Sequence, residues 1–324
     1  MQELQSPTQA LSERTIMDAR ALRYFQAVVE FGSYSRASEY LRISQPAISR
    51  QVGQLETELG KALFVRSGLG ATPTDAGRLL FERSQPILRQ LEEAAAEIKS
   101  VAGGSTGTIA MAIPPGVGHF LLPPLVKTYQ KLFPNISLKI ISGFSGYIHE
   151  ALVRGRADVA CLHGPMPQKG FKVVPLLEEE VFLVGRRGTL PSKRSHIATT
   201  DLLRLPLILP SRSHTSRRIL EERAFASDLT VNLMMEVDDT SLIRTLLRKG
   251  LGFSVLSQGA FQNELDRKEL EFRPIRPRMS WPLAMMTASG RPRSEPLEAL
   301  MGTIRATVRE LISSGDWPAK HLDR

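Results

Sequence analysis

The chain has 324 residues, 42% hydrophobic and 23% charged, a length and balance for two or three globular domains with sizeable cores. No apolar run is long enough to span a membrane, the polar start lacks a secretory apolar region, and a single cysteine, Cys161, excludes an internal disulfide framework; together they predict a cytoplasmic protein. The net charge of +9 falls wholly in residues 101–324, because residues 1–100 hold 12 Lys and Arg against 12 Asp and Glu, so the excess favours anionic ligands or a basic solvated surface there.

Residues 1–17 are polar and unpatterned and read as a disordered N-terminal extension, with Met17 expected as the initiator. Leu22, Phe25, Val28 and Val29 then form the buried face of a first helix. Ser35–Leu41 reads as a shorter helix capped by Ser35, followed after about three residues by a second from Ser44 to Leu59. In that second helix Ile48, Val52, Leu55 and Leu59 recur at helical spacing, Ser44 occupies the N-cap, and Pro46 suits a first turn whose N–H groups are unpaired anyway. Its other face carries Gln45, Ser49 and Arg50, short or planar hydrogen-bonding groups of the kind that read base edges in a major groove. Two helices joined so tightly predict a helix-turn-helix. Leu63 to Pro73 has the glycine-rich, β-leaning composition of a hairpin wing, with Arg66, Thr72 and Thr74 placed to reach phosphate or minor groove.

Six fragments carry a resemblance: Leu22-Arg-Tyr-Phe25, Gly32-Ser-Tyr-Ser-Arg-Ala37, Ser44-Gln-Pro-Ala-Ile-Ser49, Leu55-Glu56 with Leu59-Gly60, Leu63-Phe-Val-Arg66 and Thr74-Asp-Ala-Gly77. In this order and at this spacing, Arg20 to Leu80 resembles the DNA-binding domain of the LysR-type transcription regulators. The resemblance implies a winged helix-turn-helix over residues 18–75 that contacts double-stranded DNA through Arg36, Ser44, Gln45, Pro46, Ser49, Arg50, Arg66, Thr72 and Thr74. The wing departs from the family pattern, which often has a basic residue near Leu69.

Thr74 is expected to cap a long helix over 75–100, in which Leu80, Ile87, Leu91, Ala94 and Ile98 form a seam for a partner helix. Packing on its own domain is the alternative, and Ser84 and Pro86 predict a kink or a shifted register. Gly103-Gly-Ser-Thr-Gly107 reads as a hinge, assigned to 101–107. Beyond it, strands at Ile109–Ile113, Ile136–Ile141, Asp158–Leu162, Val181–Val184, Leu207–Leu209, Val231–Glu236 and Phe253–Leu256 alternate with helices at Leu121–Phe133, Tyr147–Arg154, Thr215–Phe225 and Ser241–Lys249, which implies parallel sheets. A last helix is expected over Pro296–Ile312.

Residues 108–324 resemble the family's effector domain, which looks like a two-lobed α/β periplasmic-binding protein. The expected division is lobe I at 108–186 and 282–324 and lobe II at 187–281, with crossings near Arg187 and Trp281. Effector ligands are sought beyond the carboxyl ends of strands, where helix N-termini collect anions. The candidates are the backbone of Gly116, Val117 and Gly118, with Ser145, His163, Arg212, Ser213, His214 and Thr240. The first of these loops lacks the Ser or Thr that family members often place there, and the Pro-Gly loop, His163-Gly-Pro and Leu209-Pro-Ser-Arg look closest to the nitrogen-assimilation branch.

No HExxH, CxxC, GxSxG or P-loop pattern is present, so no metal, cofactor or catalytic residue is assigned and no enzyme is expected. Cys161, in an apolar strand, reads as a buried inert thiol. The sequence thus predicts an α+β multidomain regulator with a winged helix-turn-helix, a linker helix and a two-lobed effector domain. The resemblance implies a homodimer or homotetramer, an anionic small-molecule effector bound between the lobes, and contact with RNA polymerase. The rival reading is a solute-binding or enzymatic α/β protein with an incidental helical N-terminus.

Overall fold

The computed structural model describes residues 17–67, 70–100, 106–165, 168–191, 195–289 and 294–322. The expected extension at 1–16 and most of the expected hinge, 101–105, lie outside them. The chain divides into two compact units, Met1–Ile98 and Lys99–Arg324.

In the first unit, helix α1 spans Ala19–Phe31, α2 Tyr34–Leu41 and α3 Gln45–Leu59. Strands β1 (Phe64–Ser67) and β2 (Gly70–Pro73) form the antiparallel wing, and α4 runs from Asp75 to Ser100. Leu22, Phe25, Val28, Ala37, Ile48, Val52 and Leu55 make one core, with Val29 and Leu59 packed at its margin. The cap of α2 is Ser33, not Ser35: Ser33 is extended and its hydroxyl accepts from the Arg36 N–H at 3.5 Å. Glu56 anchors the wing, since its Oε1 accepts from the N–H groups of Leu63 and Phe64 at 2.7 and 3.3 Å.

Thr74 caps α4 as expected, accepting from Gly77 N–H at 3.0 Å while its hydroxyl donates to Ala62 O at 2.7 Å. Pro86 lies inside α4 without ending it. Ser84 is buried and accepts a bond from Gln26 Nε2 at 2.9 Å, which ties α4 to α1. Leu80 leaves the expected seam, because it packs with Leu88 into the unit's own core. Ile87, Leu91, Ala94 and Ile98 remain exposed along the helix, Leu91 at 49% and Ile98 at 74%.

The second unit opens with β3 (Gly107–Ile113), α5 (Pro115–Leu132), β4 (Ile136–Ser142), α6 (Ser145–Val153) and β5 (Val159–His163). A 16-residue strand, β6 (Phe171–Arg186), leads on to β7 (Ile197–Ala198), α7 (Thr199–Leu203), β8 (Leu207–Leu209) and α8 (Thr215–Phe225). Then come β9 (Leu233–Glu236), α9 (Thr240–Arg248), β10 (Ser254–Ser257), a 3₁₀ turn at Gln258–Ala260 and α10 (Gln262–Asp266). The chain closes with β11 (Leu270–Arg276), β12 (Ser280–Ala288), α11 (Glu295–Ser314) and β13 (Ala319–His321).

Parallel pairing holds for β4–β3–β5 and β8–β9, but the main sheet is mixed, contrary to the all-parallel expectation. Strand β12 runs antiparallel between β5 and the first half of β6. The second half of β6 pairs antiparallel with β10 and β11. One strand therefore serves two lobes, and it changes partners at Glu180–Val181, upstream of Arg187. Lobe I buries alternate side chains on the two faces of its sheet: Met111, Cys161 and Met285 meet α5 and α11, while Ala112, Leu162 and Met286 meet α6. Lobe II has the same layered build, Leu183 and Val255 facing Leu202 and Leu220, Val184 and Leu256 facing Ile243 and Leu247.

Candidate functional sites

In the first unit the turn Arg42–Ser44 delivers α3 with its first turn outward. Ile48, Val52 and Leu55 fix the buried side, so Ser44, Gln45, Pro46 and Arg50 are exposed and Ser49 is half-buried. The N-cap Ser44 makes no side-chain bond to the helix, which leaves its hydroxyl available to a ligand, while Pro46 lacks an N–H and Ala47 N–H donates to Ser44 O at 3.0 Å. Arg36 is exposed on α2. On the wing Thr72 is exposed opposite Val65, whereas the Thr74 hydroxyl is engaged in capping. Arg66 stands opposite Ala71 in the hairpin, and its side chain lies outside the described residues. The base of the wing is fixed to the end of α1, since Ala71 N–H donates to Gly32 O at 2.9 Å. A Cβ on Gly70, at φ 137°, would stand 2.6 Å from that same oxygen, so glycine is required there.

In the second unit α5, α6 and α8 follow the carboxyl ends of β3, β4 and β8, and the N-caps Pro114, Phe144 and His214 make no side-chain capping bond to their own helices. Uncapped first turns present free N–H groups and the positive end of the helix dipole. The two lobes meet at these ends. Gly146 N–H on α6 donates to His214 Nδ1 at 3.3 Å, and the Phe144 and His214 rings lie 4.8 Å apart. The Thr215 hydroxyl, at the head of α8, donates to the His163 carbonyl at the end of β5, at 2.9 Å. Elsewhere Gly116 packs so closely on the 3₁₀ turn that a Cβ would stand 2.9 Å from Ala260 N, and one on Gly259 would reach Gly116 O at 2.2 Å.

His214 is buried, and its bonds set its tautomer. Nδ1 accepts from Gly146, so Nε2 carries the proton and faces Asp238 Oδ1 at 3.2 Å. Burial holds the His214 pKa below its usual value, outweighing the opposing pull of Asp238 and Glu236. Burial pushes Asp238 upward, yet the Ser211 amide and His214 carry it below the usual carboxylate range. His163 is buried as well, its Nε2 at 2.6 Å from Glu179 Oε2, while Trp317 Nε1 donates to Glu179 Oε1 at 3.0 Å.

Of the predicted effector residues, His163, His214 and the start of α6 at Ser145 come together where the lobes meet, and most of the set is engaged by neighbours outside it. Gly118 N–H is used within the helix, on Pro114 O at 2.9 Å, and Val117 is fully buried. Ser213 Oγ lies 3.0 Å from Ser211 Oγ, and the exposed Arg212 donates to Glu221 Oε1 at 3.0 Å. Ser145 is half-buried at the start of α6, and Thr240 is buried at the start of α9, behind an Asp239 cap. Two buried residues with polar side-chain atoms lay outside the expected effector set, Arg217 on α8 and Trp281 on β12, the latter expected only as a crossing between lobes. The Arg217–Glu221 spacing, one helical turn, was the available signal for the first. Cys161 is fully buried, and burial pushes its thiol up to about 12, so it is inert. Among the described residues no group of three or more His, Cys, Asp or Glu could hold a metal ion, and no helix is long and apolar enough to cross a membrane.

Known families match both units of the chain. The model of the bacterial regulatory helix-turn-helix of the lysR family matches residues 19–78, and that of the LysR substrate binding domain matches 102–309. The nitrogen assimilation regulatory protein nac of Escherichia coli (strain K12) is 31% identical over 245 residues, 75% of this chain and 79% of its own. The HTH-type transcriptional regulator BbuR of Bordetella bronchiseptica is 28% identical over 303 residues, 93% of each chain. Full-length OxyR from Pseudomonas aeruginosa shares the fold, with a TM-score of 0.63 at 23% identity over 90% of this chain and 95% of that one. CbnR, a LysR family regulator crystallised with its target DNA, does so with a TM-score of 0.66 at 20% identity over 91% of this chain and 99% of that one.

Proposed function

We propose, since the chain belongs to the LysR family of DNA-binding transcription regulators, that it reads an operator through the first turn of α3 and answers to a small anion held between lobes I and II. The observation that carries the reading is the division of α3 into a buried stripe and an exposed first turn of hydrogen-bonding side chains. Gln45 has the geometry for a bidentate contact with an adenine edge, and Arg50 for a guanine or a phosphate. Arg36 and the wing residues Arg66 and Thr72 would lie along the backbone and fix the register.

The uncovered stripe Ile87, Leu91, Ala94 and Ile98 supports dimer formation through α4, two such dimers making a tetramer on dyad-related half-sites. On this reading residues 18–75 bind DNA, 75–100 link, 101–107 bend, and 108–324 sense. A ligand between the lobes would bias the angle at which dimers sit on DNA, and through it the bend and the approach of RNA polymerase in the cytoplasm.

Operator binding by fluorescence anisotropy across a salt series tests this. Gln45→Ala should cost on the order of 1–3 kcal/mol per half-site and relax preference at one base pair without changing the salt slope. If Arg50 holds a phosphate, Arg50→Ala should flatten that slope by about one per subunit. Gln45→Ala binding operator and scrambled DNA in the wild-type ratio would remove α3 as the reader through this residue.

A further inference from the structure

Gly53 lies in the middle of α3, a helix of 15 residues, where glycine is the poorest choice after proline. Four of the five described glycines in the first unit are required by the fold: Gly32, Gly60 and Gly70 have positive φ, and a Cβ on Gly77 would stand 2.1 Å from Leu63 O. Gly53 has neither reason. Its φ is not in the left-handed region, and a Cβ built on it meets no atom within 4 Å. An alanine would fit there and strengthen the helix, so the fold alone does not account for the glycine.

Its place on the helix offers another account. At about 100° per residue, Gly53 stands about 20° from Pro46, about 40° from Ser49 and about 60° from Arg50, but roughly 100–160° from the buried Val52, Ile48 and Leu55. It belongs to the face that carries the exposed Pro46 and Arg50. It lies about 12 Å along the axis from Gln45, about the width of the major groove. A helix whose first turn lies over base edges meets the sugar–phosphate wall of the groove at that distance. The surface there is low and has no polar side chain directed outward from the next turn, because the Thr57 hydroxyl donates back to Gly53 O at 2.9 Å.

We propose that Gly53 is a positioning residue for base reading: its missing side chain lets the sugar–phosphate wall close on the third turn of α3, and this sets the depth at which Gln45 meets the bases. Gly53 touches no base; it acts through Gln45. A side chain at 53 holds α3 off the wall, and the bidentate contact of Gln45, which needs donor–acceptor distances of about 2.7–3.2 Å, is the first to be lost. The proposal rests on the reading of α3 as the operator-binding helix.

Gly53→Ala and Gly53→Leu in the full chain test this, since both residues are better helix formers than glycine. Circular-dichroism melting should place the first unit about 4 °C or more higher in Gly53→Ala. Fluorescence anisotropy with operator and scrambled duplexes should nonetheless give an operator affinity lower by about fivefold or more per half-site in Gly53→Ala, and lower still in Gly53→Leu. The operator-to-scrambled ratio should fall while the salt slope stays unchanged, because no charge is altered. Introduced into Gln45→Ala, Gly53→Ala should change the ratio little, since the contact it disturbs is already gone. Wild-type affinity and ratio in Gly53→Leu overturn the proposal. So does a melting temperature below that of the wild type in Gly53→Ala, which would make the residue merely structural, or an equal loss of ratio with and without Gln45. If Gln45→Ala alone keeps the wild-type ratio, the base-reading role of Gln45 and this proposal fall together; an impaired Gln45→Ala beside a normal Gly53→Leu defeats this proposal alone.

Discussion

Gly164→Ala would drive a wedge between the lobes. Gly164 follows β5 at φ +55°, and a Cβ there would stand 2.3 Å from Thr215 Cγ2, on the residue whose hydroxyl bridges to His163 O. The left-handed backbone costs an alanine about 1–2 kcal/mol. Relief of the clash requires Thr215 to withdraw, with loss of a buried hydrogen bond worth about 1 kcal/mol net. The expected destabilisation is therefore roughly 2–3 kcal/mol. Urea denaturation followed by tryptophan fluorescence measures it, and both tryptophans, Trp281 and Trp317, belong to the second unit, so the signal reports on it alone. Thr215→Ser removes the clashing methyl and keeps the hydroxyl, so the double variant should recover about 1 kcal/mol, the part due to contact, and keep the backbone part. If Gly164→Ala is neutral, or the double variant is no more stable than Gly164→Ala alone, the contact between β5 and α8 is not as described.

Gly77→Ala should destabilise the first unit by about 1–3 kcal/mol, because its Cβ would meet Leu63 O at 2.1 Å; circular-dichroism melting of the full chain compared with the tryptophan signal would isolate the loss. Leu91→Asp should raise the dimer dissociation constant by about tenfold or more by burying an unpaired charge in the α4 seam, and an unchanged sedimentation coefficient would place the seam elsewhere. Since His214 is held below its ordinary value of 6.5 in the folded state, its contribution to stability is complete above that pH and is lost as pH falls through the lower, folded value. Urea midpoints between pH 7.5 and 5 should decline in the wild type and decline less in His214→Gln; parallel curves for the two would exclude His214 as the group titrating.

The DNA-binding unit was legible because its signals are local. Apolar spacing in 45–59, the left-handed Gly60 and the Thr74 cap each act within a few residues, and the resemblance rests on the same positions. Even so, the cap of α2 fell on the wrong serine, since Ser33 and Ser35 are equivalent in sequence and only the extended backbone at Ser33 separates them. The second unit hid its antiparallel half. Glu178-Glu179-Glu180 precedes the strand expected at Val181–Val184, yet it lies within β6, with Glu179 met by Trp317 and His163 and Glu180 by Arg276 and Arg278 from distant segments. Strands β11 and β12 carry Pro274 and Pro282, which argue against strands when read alone. Arg217 sits in Thr215-Ser-Arg-Arg-Ile-Leu-Glu-Glu-Arg, a run with the composition of an exposed helix face, and only the packing of the lobe buries it.

The shared strand β6 also governs how the second unit comes apart. Its first half is held by β12 and its second by β10 and β11, so neither lobe owns a complete sheet once the strand is withdrawn. Excising a lobe would leave a row of unpaired backbone groups along the other, which makes the lobes poor candidates for independent modules or for exchange between relatives. Under mechanical load applied through β6, both sheets lose their common member in the same event, and the force record should show one rupture in place of two.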